Sequence, residues 1–219
     1  MQEQEAELIG MHVGDGTLYR TNSGSLVWEI RGSVDEKEFY AYIAHLIKNV
    51  FNVEVKPKYR GINSYGIQTS NKKITNFFVQ KGFRPGSKVY TVGIPEYIKN
   101  GCIEIKMAFV KGLFDTDGCV WFCKNNTKYS YYPKIEFSFA SQNLLNDLFN
   151  VLENMNFRVH RWQNIRKDGI SFKICLAGFK NLTKWMKEIK PANSKHIDRV
   201  EKGLLNKNKI KLKSVSKNV

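Results

Sequence analysis

The chain has 219 residues, 42% hydrophobic and 13% aromatic, enough for one large domain or two of about 100 residues with separate cores. No apolar run approaches the ~20 residues of a membrane span, and no basic start with an apolar centre marks a secretory leader, so no membrane partner is expected. Lys and Arg outnumber Asp and Glu 35 to 20, a net charge of +15. Six of these charges (Lys202, Lys207, Lys209, Lys211, Lys213 and Lys217) follow the last acid. The body is therefore basic in its own right, which favours a polyanion as partner, nucleic acid being the commonest. Cys102, Cys119, Cys123 and Cys175 form no CxxC pair and fit no zinc spacing, so free thiols in a reducing, intracellular setting are expected.

The first element is an apolar helical run, Leu8-Ile9-Gly10-Met11-His12-Val13-Gly14-Asp15-Gly16. Its closing glycine breaks the helix and leaves the Asp15 carboxylate at the C-terminal end. Leu26–Arg31 then alternates, with Leu26, Trp28 and Ile30 inward and Glu29 and Arg31 outward. Phe39, Ile43, Leu46 and Ile47 recur at helical spacing and predict a core-facing stripe. Next come Asn52–Lys56, a second apolar helical stretch at Ile74–Phe78, and Pro85-Gly86-Ser87-Lys88.

From Val110 the series begins again. Val110-Lys111-Gly112-Leu113-Phe114-Asp115-Thr116-Asp117-Gly118 repeats the opening run, placing Asp117 102 residues after Asp15. Lys134–Ala140 alternates strictly, with Ile135, Phe137 and Phe139 on one face and Lys134, Glu136 and Ser138 on the other. Leu144, Leu145, Leu148, Phe149 and Leu152 form the next helical stripe. Asn156–His160 matches Asn52–Lys56 at an offset of 104, Leu182–Met186 matches Ile74–Phe78 at 108, and Ala192–Lys195 matches Pro85–Lys88 at 107. Matches that keep their order while the offset drifts by a few residues indicate a duplicated unit. Two pseudo-equivalent halves are expected, 1–100 and 101–205, followed by a basic tail, 206–219. Each half reads as helix, two strands, helix, two strands, helix, an α+β fold with αββαββα halves. Phe77, Phe78, Trp185 and Met186 are expected in the cores.

A sheet with helices on one face leaves the other open. The residues expected there are Glu29, Arg31, Lys56, Lys58 and Gln68 in the first half, and Lys134, Glu136, Ser138, Arg158, His160 and Lys173 in the second. Arg, Lys, Gln, Glu and Ser are the side chains that contact base edges and phosphates, and a two-stranded ribbon fits a major groove. Within the motif runs, Gly10 and Gly112 each cost about 1 kcal/mol of helix stability against Ala. That cost suggests two helices whose backbones touch, which would bring Asp15 and Asp117 together at one end. Paired carboxylates beside a polyphosphate suit a hard divalent cation such as Mg²⁺, which can activate water and stabilise the leaving oxygen of a phosphodiester displacement.

Both nine-residue runs resemble the signature of the LAGLIDADG homing endonucleases, and the resemblance covers about residues 5–205, in the single-chain, two-motif form. It implies motif helices packed at the centre, a curved antiparallel saddle over duplex DNA, and a monomer that cuts both strands of a long, largely asymmetric target. It implies Asp15 and Asp117 as catalytic metal ligands, joined by the backbone carbonyls of Gly14 and Thr116. It also implies a basic residue near the site, for which Lys88 and Lys195 are the candidates and Lys72 or Lys73 the substitutes. Two departures stand out. Val13 replaces the earlier Asp of the motif, kept as Asp115 in the second copy, at a position that serves packing in the family. A Gln or Lys is often found where the second strand meets its helix, but Gly32-Ser33 and Ser141-Gln142 stand there here. His12 is expected to be a satisfied interface residue. An RNA maturase acting on intron RNA, and a DNA-binding protein without nuclease activity, are the alternatives.

Overall fold

The structure is a computed structural model that describes residues 1–124, 131–166 and 169–215. The first half runs α1 (Gln2–Val13), β1 (Gly16–Arg20), β2 (Leu26–Ser33), a 3-10 turn (Val34–Glu36), α2 (Lys37–Phe51), β3 (Lys58–Gly61), β4 (Ser64–Thr69) and α3 (Lys72–Gln80). A short α4 (Glu96–Lys99) lies in the connection to the second half. There the series is α5 (Ile103–Asp117), β5 (Gly118–Cys123), β6 (Tyr132–Phe139), α6 (Gln142–Asn154), β7 (His160–Arg166), β8 (Gly169–Ala177) and α7 (Phe179–Glu188), followed by α8 (Ser194–Val215). Each half has the αββαββα order. Each forms one antiparallel four-stranded sheet, ordered β1-β2-β4-β3 and β5-β6-β8-β7. The fold is α+β with two pseudo-symmetric halves.

The halves share a core whose axis is α1 against α5. A helix apolar on all sides must be buried on all sides, and Ala6–Val13 of α1 are buried without a break. In α5, Phe109, Val110 and Gly112–Thr116 are buried. The other helices are amphipathic and cover one sheet face. Phe39, Tyr40, Ile43, Leu46 and Ile47 of α2 point inward, as do Leu144, Leu145, Leu148, Val151 and Leu152 of α6. Both helices end at an asparagine with positive φ, Asn52 (52°) and Asn156 (58°). Asn tolerates the left-handed conformation better than most residues, so this matched pair of the repeat is a matched pair of helix stops.

His12 lies in the part of the shared core that the first half lines. Its ring is 4.5 Å from Phe78 and 4.4 Å from Phe83, and Nδ1 accepts the Trp28 Nε1–H at 3.2 Å. Burial, with the Lys88 charge nearby, pushes its pKa down to about 3, so the ring is neutral. The repeat position is Phe114, which packs edge-on to Phe137 and Trp185. Phe78 and Trp185 are buried, and Phe77 and Met186 pack half-buried against the core.

The chain between α3 and α5 packs back onto the second half. Asp147 of α6 accepts the Ile94 N–H at 2.9 Å and pairs with Lys99 at 3.3 Å, and the Ser141 hydroxyl donates to Val92 O at 2.6 Å. Helix α8 packs on β5, where Gly203 meets the Phe122 ring, and its backbone runs unbroken through position 206. Lys217 of the expected tail lies outside the described residues. Among the described residues, no helix is long and apolar enough to cross a membrane.

Candidate active site and nucleic-acid interface

The two motif glycines meet the opposite helix backbone reciprocally. A methyl group at Gly10 would lie 2.1 Å from Phe109 O, and one at Gly112 would lie 2.0 Å from Glu7 O. Only glycine lets the helices come this close. Beside this contact the Lys111 ammonium reaches the Glu7 carboxylate (2.9 Å) and the Tyr42 hydroxyl (2.7 Å), a half-buried ion pair across the seam. At the end of the contact a methyl on Gly14 would lie 2.1 Å from Thr116 Oγ1 and 3.4 Å from the carboxyl carbon of Asp117. Asp117 is thus set against the residue preceding Asp15, and the two carboxylates emerge together where α1 and α5 end.

Both acids reach solvent, but protein flanks them on the remaining sides. Loss of water pushes the Asp117 carboxyl up to about 6, and the Asp15 charge adds to the rise against the pull of Lys88 and Lys195. Asp15 is raised mainly by the same desolvation, with Lys195 and Lys88 lowering it and Glu36 raising it. Two acids that resist ionising side by side are a site that favours a cation.

Lys88 and Lys195 both act on this pair, but they are held differently. The Lys88 ammonium donates to the carbonyls of Val13 (2.7 Å) and Gly14 (2.6 Å), a cation capping the negative end of α1. Lys195 pairs with Glu36 at 2.8 Å. Lys72 and Lys73 lie in the first turn of α3, where Asn71 caps the Lys73 N–H. The Gly14 carbonyl keeps a second lone pair beyond the one Lys88 uses. The Thr116 carbonyl belongs to the last turn of α5, whose carbonyls lack helical partners, while its hydroxyl turns back to Gly112 O and Leu113 O.

Asp115 does more than fill space. It is fully buried, and its carboxylate accepts the N–H groups of Ala192 (2.9 and 3.1 Å) and Asn193 (3.1 Å), while Asn193 Nδ2 donates to Asp115 O. It therefore anchors the loop that delivers Lys195. Burial pushes its carboxyl up to about 7 despite these hydrogen bonds. Sequence reasoning missed Asn193 and also Glu36. The Ser33-x-x-Glu36 spacing signals a capping box, and that box forms here, but nothing local pointed Glu36 at Lys195.

The open faces of the sheets carry most of the residues expected there. In the first sheet Glu29 stands between Thr17 and Gln68, and Gly66 separates Arg31 from Lys58. Gln68 donates to the Tyr19 hydroxyl (2.5 Å) and accepts from Arg60 (2.8 Å). In the second sheet Glu136 stands between Cys119 and Cys175, Ser138 faces Lys173, and His160 faces Cys175. Glu136 is already engaged by Lys173 and by Trp121 Nε1 (3.1 Å), and Lys134 lies over the Trp121 ring. The expectation that Lys56 and Arg158 sit on these sheets is corrected. Both are exposed but belong to the segments leading into β3 and β7, because the asparagine helix stops leave several residues of connection before pairing begins. Tyr19, Arg60, Trp121 and Trp162 are additions. The two tryptophans, 39% and 40% exposed, help line a cavity of about 390 Å³ that reaches Asp117. A larger cavity, about 770 Å³, opens between the connection and α6, and Lys88 of the carboxylate site is among the residues that line it.

Residues 104–190 match the family model described as a LAGLIDADG-like domain, which bears out the resemblance read from the second motif. No curated protein matches the chain in sequence. Among solved structures, a set described as mesophilic variants of the homing endonuclease I-DmoI is similar with TM-score 0.60 at 19% identity, covering 86% of this chain and 95% of that one. I-DmoI in complex with DNA and Mn gives 0.59 at 18% identity over 86% and 96%. I-SmaMI bound to uncleaved DNA target with calcium ions gives 0.61 at 11% identity over 94% and 92%. At these identities the likeness is one of fold, and it spans both halves.

Proposed function

We propose that the protein is a site-specific, double-strand DNA endonuclease that cleaves a long, largely asymmetric target by metal-assisted phosphodiester hydrolysis. The observation that carries this reading is the pair Asp15 and Asp117, set side by side by reciprocal glycine contacts and flanked by two lysines between two open, basic sheets. The fold neighbours support it, since their descriptions name DNA together with Mn, or an uncleaved DNA target together with calcium ions.

The donor set fits a hard divalent cation, Mg²⁺ being our reading: two carboxylates whose ionisation is mutually unfavourable, with the Gly14 and Thr116 carbonyls beside them. Among the described residues no three His, Cys, Asp or Glu side chains gather around one point, which suits an ion that would take its remaining oxygens from water and the phosphate. When bound, such an ion neutralises developing charge and makes water a better nucleophile. The chain's own residues do the rest. Asp15 and Asp117 supply anionic oxygens at the seam, and Lys88 and Lys195 add positive charge where a phosphate becomes more negative in the transition state. The sheets hold the duplex through Arg31, Lys58, Lys134 and Lys173, with phosphates giving affinity and base edges giving choice of site. One chain supplies both halves, so a monomer suffices for both strands.

Incubating the protein with a library of long duplexes, with and without Mg²⁺, and sequencing the ends tests this reading. Recurrent cut sites that appear with the cation support it, and an uncut library under all divalent cations refutes it.

A further inference from the structure

The carboxylate pair is shared, but the lysines on either side of it are not equivalent. Glu36 enters from the first half and reaches the second. Its Oε1 accepts Lys195 Nζ at 2.8 Å and Asn193 Nδ2 at 2.7 Å, while Oε2 accepts the Ser33 N–H at 3.2 Å. Gly32 leaves room beside it, since a methyl there would lie 2.5 Å from the Tyr40 hydroxyl and 3.1 Å from Glu36 Oε2. Burial alone would raise the Glu36 carboxyl, but the hydrogen bonds and charge of Lys195 and the bond from Asn193 outweigh it and hold it down. Glu36 is therefore an ionised partner. In the repeat, Ser33-x-x-Glu36 corresponds to Ser141-x-x-Leu144, and Leu144 is a core residue. Lys88 accordingly rests on neutral backbone carbonyls.

From this we infer that Glu36 is a positioning residue that ties Lys195 down across the seam between the halves and withholds its charge from DNA until a phosphate displaces it. Both ammoniums donate charge-assisted hydrogen bonds, but Lys195 must also leave the full negative charge of Glu36 to reach a phosphate. Lys88 exchanges only neutral acceptors. The two lysines then serve the two strands unequally, and the strand attended by Lys195 is cut second. This rests on the proposed nuclease reading but makes a claim about DNA binding that needs no metal.

The test is Glu36→Gln, which keeps a capping-box side chain and removes the charge. Binding to a target duplex is measured in chelator across a salt series. Freeing one ammonium for one phosphate should tighten binding at low salt. It should also steepen the salt slope by about 0.9, an extra loss of about 3.5-fold between roughly 50 and 200 mM salt. With Mg²⁺ and a supercoiled plasmid carrying the target, the wild type should pass through a nicked circle, and E36Q should shorten its lifetime. If E36Q folds poorly, Lys195→Met and Lys88→Met in the wild-type background decide the matter. Losing Lys195 should cost much less salt slope than losing Lys88. Equal slopes for that pair, or an E36Q protein whose affinity and slope match the wild type, would overturn the inference while leaving the nuclease reading intact. Failure of the wild type to bind any duplex would overturn both.

Discussion

Replacing Asp117 by Asn should make the metal-free protein more stable at neutral pH while abolishing double-strand cutting. The Asp117 carboxyl rises from its ordinary 3.8 to about 6, first by desolvation and then by the charge of Asp15. The folded state therefore holds a proton that the unfolded chain has released, so stability from this group falls as pH climbs from about 4 to about 6. Above that window the ionised carboxylate opposes folding. Two pK units correspond to about 3 kcal/mol, but Asp117 reaches solvent, and screening cuts this to on the order of 1 kcal/mol. Asn keeps the shape and lacks the charge. In a chain of this size the gain should be about 2–4 °C in Tm. Thermal denaturation in chelator would show it near pH 8, and it should vanish below about pH 4, where both side chains are neutral. Adding Mg²⁺ should reverse the order by stabilising the wild type through mass action. An Asn variant no more stable than the wild type at about pH 8 would refute the claim that the desolvated Asp117 carboxylate, beside Asp15, opposes folding without a cation.

The other predictions follow from the same geometry. Gly112→Ala should cost at least the about 1–3 kcal/mol typical of an overpacked core, read as a lower urea midpoint, because its methyl meets the Glu7 carbonyl rather than a side chain that can move; an unchanged midpoint would show that α1 and α5 do not touch there. Target binding should weaken about 10³–10⁵-fold between roughly 50 and 200 mM salt if the sheets contact about 6–10 phosphates, and a flat titration would argue against the sheets as the interface. Arg31→Ala should relax base preference in one half-site only, at a cost of about 1–3 kcal/mol if the contact is bidentate, because its repeat counterpart is Ser138. Relaxation in both half-sites would contradict the assignment of one sheet to each.

What the sequence made legible was whatever repeats or has a period. The motif glycines, the acids 102 residues apart and the alternation of Leu26–Arg31 and Lys134–Ala140 all depend on near neighbours, and all took the expected places in the fold; Asn52 and Asn156 were legible as a matched pair of the repeat, and the structure adds that both stop helices. What escaped depends on the seam. Glu36 and Lys195 are 159 residues apart and meet only because Asp115 pins Ala192 and Asn193 against the end of α5. That pinning also explains why the second motif has Asp115 where the first has Val13: the second half must anchor a loop through backbone N–H groups, whereas Lys88 anchors the first through backbone carbonyls. The tryptophans escaped for a different reason. Large aromatic residues in strands usually signal core, and Trp28 obeys that rule while Trp121 and Trp162 do not. Only the strand register puts Trp121 beside Lys134, and Trp162 beside Lys173, on the open face.

The most direct measurement compares the wild type with Asp15→Asn and Asp117→Asn on one identified target, following binding and cleavage separately in Mg²⁺. Each variant should bind the duplex through its untouched sheets and fail to cut both strands, because each lacks one anionic oxygen donor at the seam. Double-strand cutting by either variant at the wild-type rate would contradict the assignment of the reaction to this carboxylate pair.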